Sequence, residues 1–243
     1  MSVYYTLIPA LPALPVKLEQ LKELPISVLQ LERRLGMLPE ADQVLLVRAL
    51  RLFQRERTGD EAFSDRDEVL HWQQELAAIP YKPLRAVLAE NLEWRSLIAA
   101  QRYRLAGQHE GDSFEGYGKR TWIIRRDWQQ PDFGLGRRYP WLVESLAQLK
   151  QGQGVELEQQ ILARLWRKLR MLEQSHPFSL IAVAAYRLRW SIAEYRLRWQ
   201  AEAAQQHFSQ LVDRALAGVM PDSGIDPVWI DPVRMDPVTE ANR

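Results

Sequence analysis

Four histidines, His71, His109, His176 and His207, are the chain's candidates for metal ligation or proton transfer, and they are scattered. None has a second histidine four residues away, the spacing that places two imidazole ligands on one helical face. The HEGD run at His109 lies in a glycine-rich stretch with no second cluster to complete a coordination sphere. GYGKRT at residues 116–121 has glycines and a lysine in the order of a phosphate-binding loop. The first glycine of that pattern falls at Ser113, however, and Arg120 follows Lys119 where Ser or Thr is required, so the pattern fails as a nucleotide site. With no cysteine, disulfides, thiol nucleophiles and thiolate-bound metals are excluded. Acidic residues are numerous but spread over wet helical faces, and no nucleophile elbow occurs. The expectation is a protein that is not an enzyme and has no cofactor and no metal.

What the chain concentrates instead is arginine and tryptophan: 26 of its 32 basic residues are arginine, and there are 9 tryptophans. These residue types are enriched where proteins grip one another, because both are planar, large and able to donate hydrogen bonds. Two places collect them. The stretch RTWIIRRDWQQPDFGLGRRYPWL, residues 120–142, groups Arg125, Arg126, Asp132, Phe133, Arg137 and Arg138 around Pro131 and the glycines at 134 and 136. It reads as a folded-in turn whose aspartates cap helices and pair with Arg137 or Arg138, or as a partner-contact loop. Further on, YRLRW occurs at residues 186–190 and again at 195–199, and a shift of nine residues returns the second copy to nearly the same helical face. Arg189, Trp190, Arg196 and Trp199 are the candidate partner contacts there, with Glu194 four before Arg198 for a helical ion pair. The plainer reading makes this a core helix whose arginines snorkel to water.

The elements that must carry these residues are helices. Residues 177–217 read as one long helix, capped by Ser175, with Pro177 in its first turn, Gly218 closing it and Pro221 preventing resumption. Ile181, Ala185, Leu188, Ile192, Tyr195 and Trp199 form one apolar line, and Val183, Tyr186, Trp190, Ala193, Leu197, Ala204, Phe208, Leu211 and Ala215 a second, so the helix is covered on more than one side. Upstream, VYYTLIPALPALPV predicts a short buried element and then an extended connector. Ser27 and Gln30 have capping-box spacing before a helix that Gly36 ends. The next helix follows Pro39, with Val44, Leu45, Ala49, Leu52 and Phe53 inward, until Thr58 and Gly59. Further helices open at Asp65 or Asp67, at Pro83, at Pro140 and at Val155.

Four of the twelve glycines fall in residues 107–118, the clearest loop. The expected organisation is an N-terminal helical lobe over 1–106, a connector over 107–118, a C-terminal helical lobe over 119–218 and a flexible tail over 219–243, where DPV recurs at Asp226, Asp231 and Asp236. Strand alternation and hairpin signals are almost absent, so the fold class is all-α: a multi-helix bundle with one long C-terminal helix. A net charge of +1 supplies no broad field for nucleic acid or anionic membrane. No apolar run is long enough to cross a bilayer, and the uncharged start, broken by Pro9, Pro12 and Pro15, lacks the basic n-region of a signal peptide.

Three stretches taken together, YYTLIPALPALP with PISVLQLERRLGML, RRDWQQPDFGLGRRYPWL, and HPFSLIAVAAYRLRWSIAEYRLRW, resemble a family of bacterial proteins encoded among the subunits of V-type (A-type) ATP synthases. That family is distantly similar to the central-stalk subunit that receives the foot of the rotor shaft in these rotary enzymes and in vacuolar ATPases. The resemblance covers most of residues 3–210. It implies a non-catalytic, all-helical adaptor in an ion-transport complex, cytoplasmic and on the inner face of the membrane. Its partners would be the rotor shaft and the proteolipid ring, with membrane contact only through those subunits. The alternative is an Arg-rich helical nucleic-acid-binding or regulatory scaffold, whose affinity would fall steeply with salt; the near-neutral charge disfavours it, and no nucleic acid is expected.

Overall fold

The computed structural model describes residues 3–53 and 64–219, with side chains of 202–208 and 210–219 outside that description. In chain order the helices are α1 (Tyr4–Ala10), α2 (Val28–Leu35), α3 (Glu40–Phe53), α4 (Asp65–Ala77), α5 (Lys82–Leu105), α6 (Thr121–Arg126), α7 (Leu142–Lys150), α8 (Gly154–Ser175) and α9 (Leu180–Val219), with a 3-10 turn at Leu18–Gln20. The fold is all-α, and no strand occurs among the described residues. Thr58, Gly59 and the DPV tail lie outside them.

Local signals explain most boundaries. Ser27 caps α2, its Oγ accepting the Gln30 N–H at 3.3 Å, and Gly36 ends it. Pro83 sits in the first turn of α5, where its missing N–H costs nothing. α4 is capped by Ser64, one residue before the expected aspartates. On α3 Ala49 and Leu52 are buried as predicted, with Leu45 and Phe53 partly buried against the core, but Val44 is 54% exposed and Leu46 is buried in its stead. Both Val44 and Leu46 continue an apolar period, and only the position of α5 decides between them.

By its contacts the chain divides into two units, Met1–Arg198 and Trp199–Arg243. The division does not fall at residues 107–118, because one hydrophobic core takes in Leu31, Leu52, Leu92 and Trp94 before that stretch, Phe114 within it, and Phe133, Trp166 and Trp190 after it. α5 is the hub of the first unit, packed on α3, α4, α7 and α8. In the second unit α9 continues to Val219, past the Gly218 expected to stop it.

α9 begins at Leu180, three residues later than expected. Ser175 belongs to α8, where its Oγ donates to the Met171 carbonyl at 2.8 Å. The chain then turns through Pro177 and Phe178, and Ser179 is the residue whose Oγ and carbonyl receive the N–H groups of Ala182 and Val183. From Leu180 to Ala193 every residue is buried, which fits the first part of the two apolar lines but not the snorkelling arginines. Beyond it Tyr195 is exposed, Leu197 and Trp199 are half-buried, and the side chains of Ala204, Phe208, Leu211 and Ala215 lie outside the described residues. Arg187 and Arg189 are 7% and 3% exposed. A charge can stay there only if it is paired and hydrogen-bonded.

The partners come from the opposite end of the sequence. Residues 11–27 hold only a three-residue 3-10 turn, so most of their carbonyls need outside donors. Tyr186 Oη donates to Pro12 O at 2.8 Å, and Arg189 Nη2 to Pro15 O at 2.8 Å. Trp166 Nε1 is shared between Pro15 O and Val16 O, both at 3.2 Å, and Trp190 Nε1 donates to Ile26 O at 3.0 Å. Arg189 also binds Glu173 at 2.7 Å and lies 4.4 Å over the Trp166 ring, while Arg187 binds Glu32 at 3.0 Å. Leu18, Leu21 and Ile26 of this strap are buried beneath.

Removing Arg189 would strand Glu173 and leave Pro15 O only its longer bond from Trp166, so Arg189→Ala is expected to cost about 3–5 kcal/mol in urea denaturation. Arg189→Lys should recover little of it, since an ammonium cannot reach two partners while stacking on an indole. Burial, and then the nearby Glu173 charge, push the Tyr186 phenol up to about 12. Because the folded value is raised, its contribution is complete below the ordinary phenol value and is lost as pH rises through about 12. Tyr186→Phe should therefore cost about 1 kcal/mol at neutral pH and flatten the alkaline fall in stability.

Candidate functional site

Residues 107–142, where a connector and then a contact surface are expected, form a knot of side-chain-to-carbonyl bonds. Arg104, in the last turn of α5, donates to Trp128 O at 2.8 Å and Gln130 O at 2.5 Å. In return Trp128 Nε1 reaches Gln108 O at 2.9 Å and Gln129 Nε2 reaches His109 O at 2.6 Å. Arg125 Nε holds Phe114 O at 2.7 Å and its Nη2 meets Glu115 at 3.0 Å. The rings of Phe114, Trp128 and Phe133 follow one another at 5.6 Å spacing, with Arg104 4.9 Å over the Phe133 face. The glycine-rich stretch is thus fastened onto the core.

A second cluster closes the knot. Glu93 of α5 accepts from Arg120 at 2.7 Å and from the Tyr139 hydroxyl at 2.7 Å, and burial, followed by the Glu93 hydrogen bond, raises the Tyr139 phenol. Gly118 passes over this carboxylate with φ of +103°, and a Cβ there would stand 2.8 Å from Glu93 atoms. Both the backbone sign and the space demand glycine. Of the GYGKRT glycines, Gly118 therefore serves a close approach to Glu93, while Gly116 lies against Phe114 and Ser96.

The predicted contact residues divide by burial. Asp132 behaves as a cap, its two oxygens accepting the N–H groups of Gly134 and Gly136 at 3.0 Å each; it forms no ion pair with Arg137 or Arg138. Phe133 is fully buried, so it faces no partner, and its φ of 52° is held by the aromatic packing around it. Arg189 and Trp190 are likewise interior, occupied with the strap. Arg126 is exposed, paired with Asp127 at 2.6 Å and lying 4.9 Å over Trp122, itself 58% exposed. Arg137 and Arg138 are exposed, Arg125 and Arg196 half-buried, and Glu194 makes no ion pair with Arg198. Trp199, in the second unit, is half-buried.

Two features leave almost no trace in the order of residues. Phe178 adopts φ of 53° in the α8–α9 turn and stacks on Tyr5 of α1 at 4.8 Å, both rings being exposed. An exposed, strained aromatic is retained only where its surroundings demand it. The other is a cavity between α5, α8 and α9, whose one sequence signal is Asn91 among the apolar residues Leu84, Leu88, Leu92 and Trp94. Among the described residues no three His, Asp or Glu side chains gather as a metal site, and no helix is long and apolar enough to cross a membrane.

Comparison with protein-family models, with curated proteins and with solved structures gives no match.

The division by burial has measurable consequences. Phe133→Ala should cost about 3–5 kcal/mol as a large core deletion. Gly118→Ala should be destabilising by roughly 1–3 kcal/mol, through backbone strain and the displaced Glu93. Trp122→Ala should change stability by no more than about 0.5 kcal/mol. Urea denaturation monitored by circular dichroism reads all three.

Proposed function

We propose that the protein is a non-catalytic adaptor subunit of a bacterial V/A-type rotary ATPase, placed between the rotor shaft and the proteolipid ring on the cytoplasmic side of the membrane. The three resembling stretches support this reading, and so does where they lie. Tyr5 of the first and Phe178 of the last meet as an exposed aromatic stack. The observation that carries the proposal is this pairing of two separate motif segments at the surface, on a turn whose backbone is strained to present the ring. Aromatic anchors of that kind are the residues that dominate protein contacts.

A scaffold tied internally by long-range bonds suits an adaptor that must pass torque without yielding. The arginines favour this over the nucleic-acid reading. Arg104, Arg120, Arg125, Arg187 and Arg189 all spend their donors on the chain's own carbonyls and carboxylates. Phosphate contacts would need such donors outward-facing.

The test is co-expression of the tagged chain with the shaft and ring subunits of a V/A-type ATPase. Co-purification with either is expected, and a Tyr5→Ala, Phe178→Ala pair should reduce recovery at least about tenfold, as losing an interface anchor does, while leaving the chain folded. Recovery of neither subunit would refute the adaptor reading, and full recovery with the aromatic pair removed would refute the assigned surface.

A further inference from the structure

The cavity in the first unit has a volume of about 600 Å³, within the range of about 300–1,000 Å³ typical of organic ligand sites. Its walls are one face each of α5, α8 and α9, with Phe53 at the end of α3. Lys168 Nζ stands 2.8 Å from Glu90 and over the Trp94 ring, so α8 runs antiparallel to α5 with Leu165 at the Asn91 end and Gly154 at the Arg102 end. The tight turn between α8 and α9 makes these antiparallel too, which brings Ser191 to the Asn91 end and Arg198 to the Arg102 end. The site is therefore graded along its length. Asn91 and Ser191, 4% and 7% exposed, lie at the closed end; Ile98, Ala99, Ile161 and Ile192 line the middle; Arg102 and Arg198 stand exposed at the mouth.

Two observations mark this as a binding site. Ser191 is satisfied, its Oγ accepting from Arg187 at 2.7 Å, but the Asn91 carboxamide, almost wholly buried and lining the cavity, makes no side-chain hydrogen bond with any described residue. Its polar atoms open onto the cavity and are not sealed in apolar packing, so they are available to whatever fills it. At the other end the described lining carries Arg102 and Arg198 against Glu158. From Asn91 to Arg102 the groove runs about 16 Å at 1.5 Å per helical residue.

We propose that this cavity binds an elongated organic acid, with a neutral hydrogen-bonding group at Asn91, an apolar chain along the isoleucine wall, and a carboxylate at Arg102 and Arg198. This stands independently of the adaptor reading. The probes are ω-hydroxydodecanoate, which has both end groups, dodecanoate, which lacks the inner one, and dodecanediol, which lacks the acid. Each is titrated calorimetrically into the full chain below its micelle concentration. The hydroxy acid should bind saturably, one per chain. Dodecanoate should bind roughly fivefold more weakly for one lost neutral hydrogen bond, and the diol at least roughly tenfold more weakly for a lost charged one.

Asn91→Leu should erase the preference for the hydroxylated acid while leaving the affinity for dodecanoate unchanged, a combination that a merely structural asparagine would not give. Arg102→Gln with Arg198→Gln should erase the preference for acid over diol. Ala99→Leu, which narrows the middle of the groove, should weaken all three probes together, an independent check if Asn91→Leu fails to fold. Absence of saturable binding, equal affinity for the three probes, or an undiminished hydroxyl preference in Asn91→Leu would each overturn the proposal.

Discussion

The rest of the structure depends on a single requirement: the main-chain carbonyls of residues 11–27 need donors that their own segment does not supply. Prolines at 12, 15 and 25 keep this strap from becoming helical, yet Leu18, Leu21 and Ile26 are buried, so water cannot serve all of its polar groups. Tyr186, Arg189 and Trp190 of α9 and Trp166 of α8 supply the donors. This is why the deepest part of α9 contains long polar-tipped side chains where an ordinary core helix would carry leucine. Their apolar stems and rings fill volume while their tips meet the strap.

The same requirement explains the unusual placement of charge. Arg189 reaches a carbonyl, the Glu173 carboxylate and an indole face at once, which a flexible ammonium could not do. Burial lowers its affinity for the proton, but the paired carboxylate works the other way, and the guanidinium remains charged. Arg104 plays a comparable part elsewhere, gathering the carbonyls of residues 128 and 130 while covering Phe133. Arg34, Arg85, Arg95 and Arg125 likewise donate to backbone carbonyls, so part of the chain's arginine serves main-chain acceptors inside a helical protein.

What was legible in the sequence was local. The helical class, the Ser27 and Gly36 boundaries of α2, and the two-sided covering of α9 follow from periodicity and capping, which act over a few residues. What was not legible depends on distant partners. Ser175 and Ser179 are equally plausible caps until the turn at Phe178 is seen; Val44 and Leu46 are equally plausible core positions until α5 is placed. The glycines of 107–118 announce an irregular path without saying whether it runs over solvent or over Glu93. Arg187 and Arg189 look like surface charge because their acidic partners lie far along the chain, Glu32 above all. For the candidate contacts, the sequence located aromatic and basic residues correctly but could not tell which ones face outward, and Tyr5 and Phe178, separated by most of the chain, had no reason to be paired.

The separation of the strap from its donors also bears on biogenesis. During translation residues 11–27 leave the ribosome while Tyr186, Arg189 and Trp190 are still unmade, and synthesis proceeds at only about 5–20 residues per second. For several seconds the early leucines and prolines have nothing to dock against, whereas α3, α4 and α5 can already pair as near neighbours. The strap is accordingly among the last elements to settle, and until then its apolar side chains stay open to whatever chaperone waits at the exit tunnel.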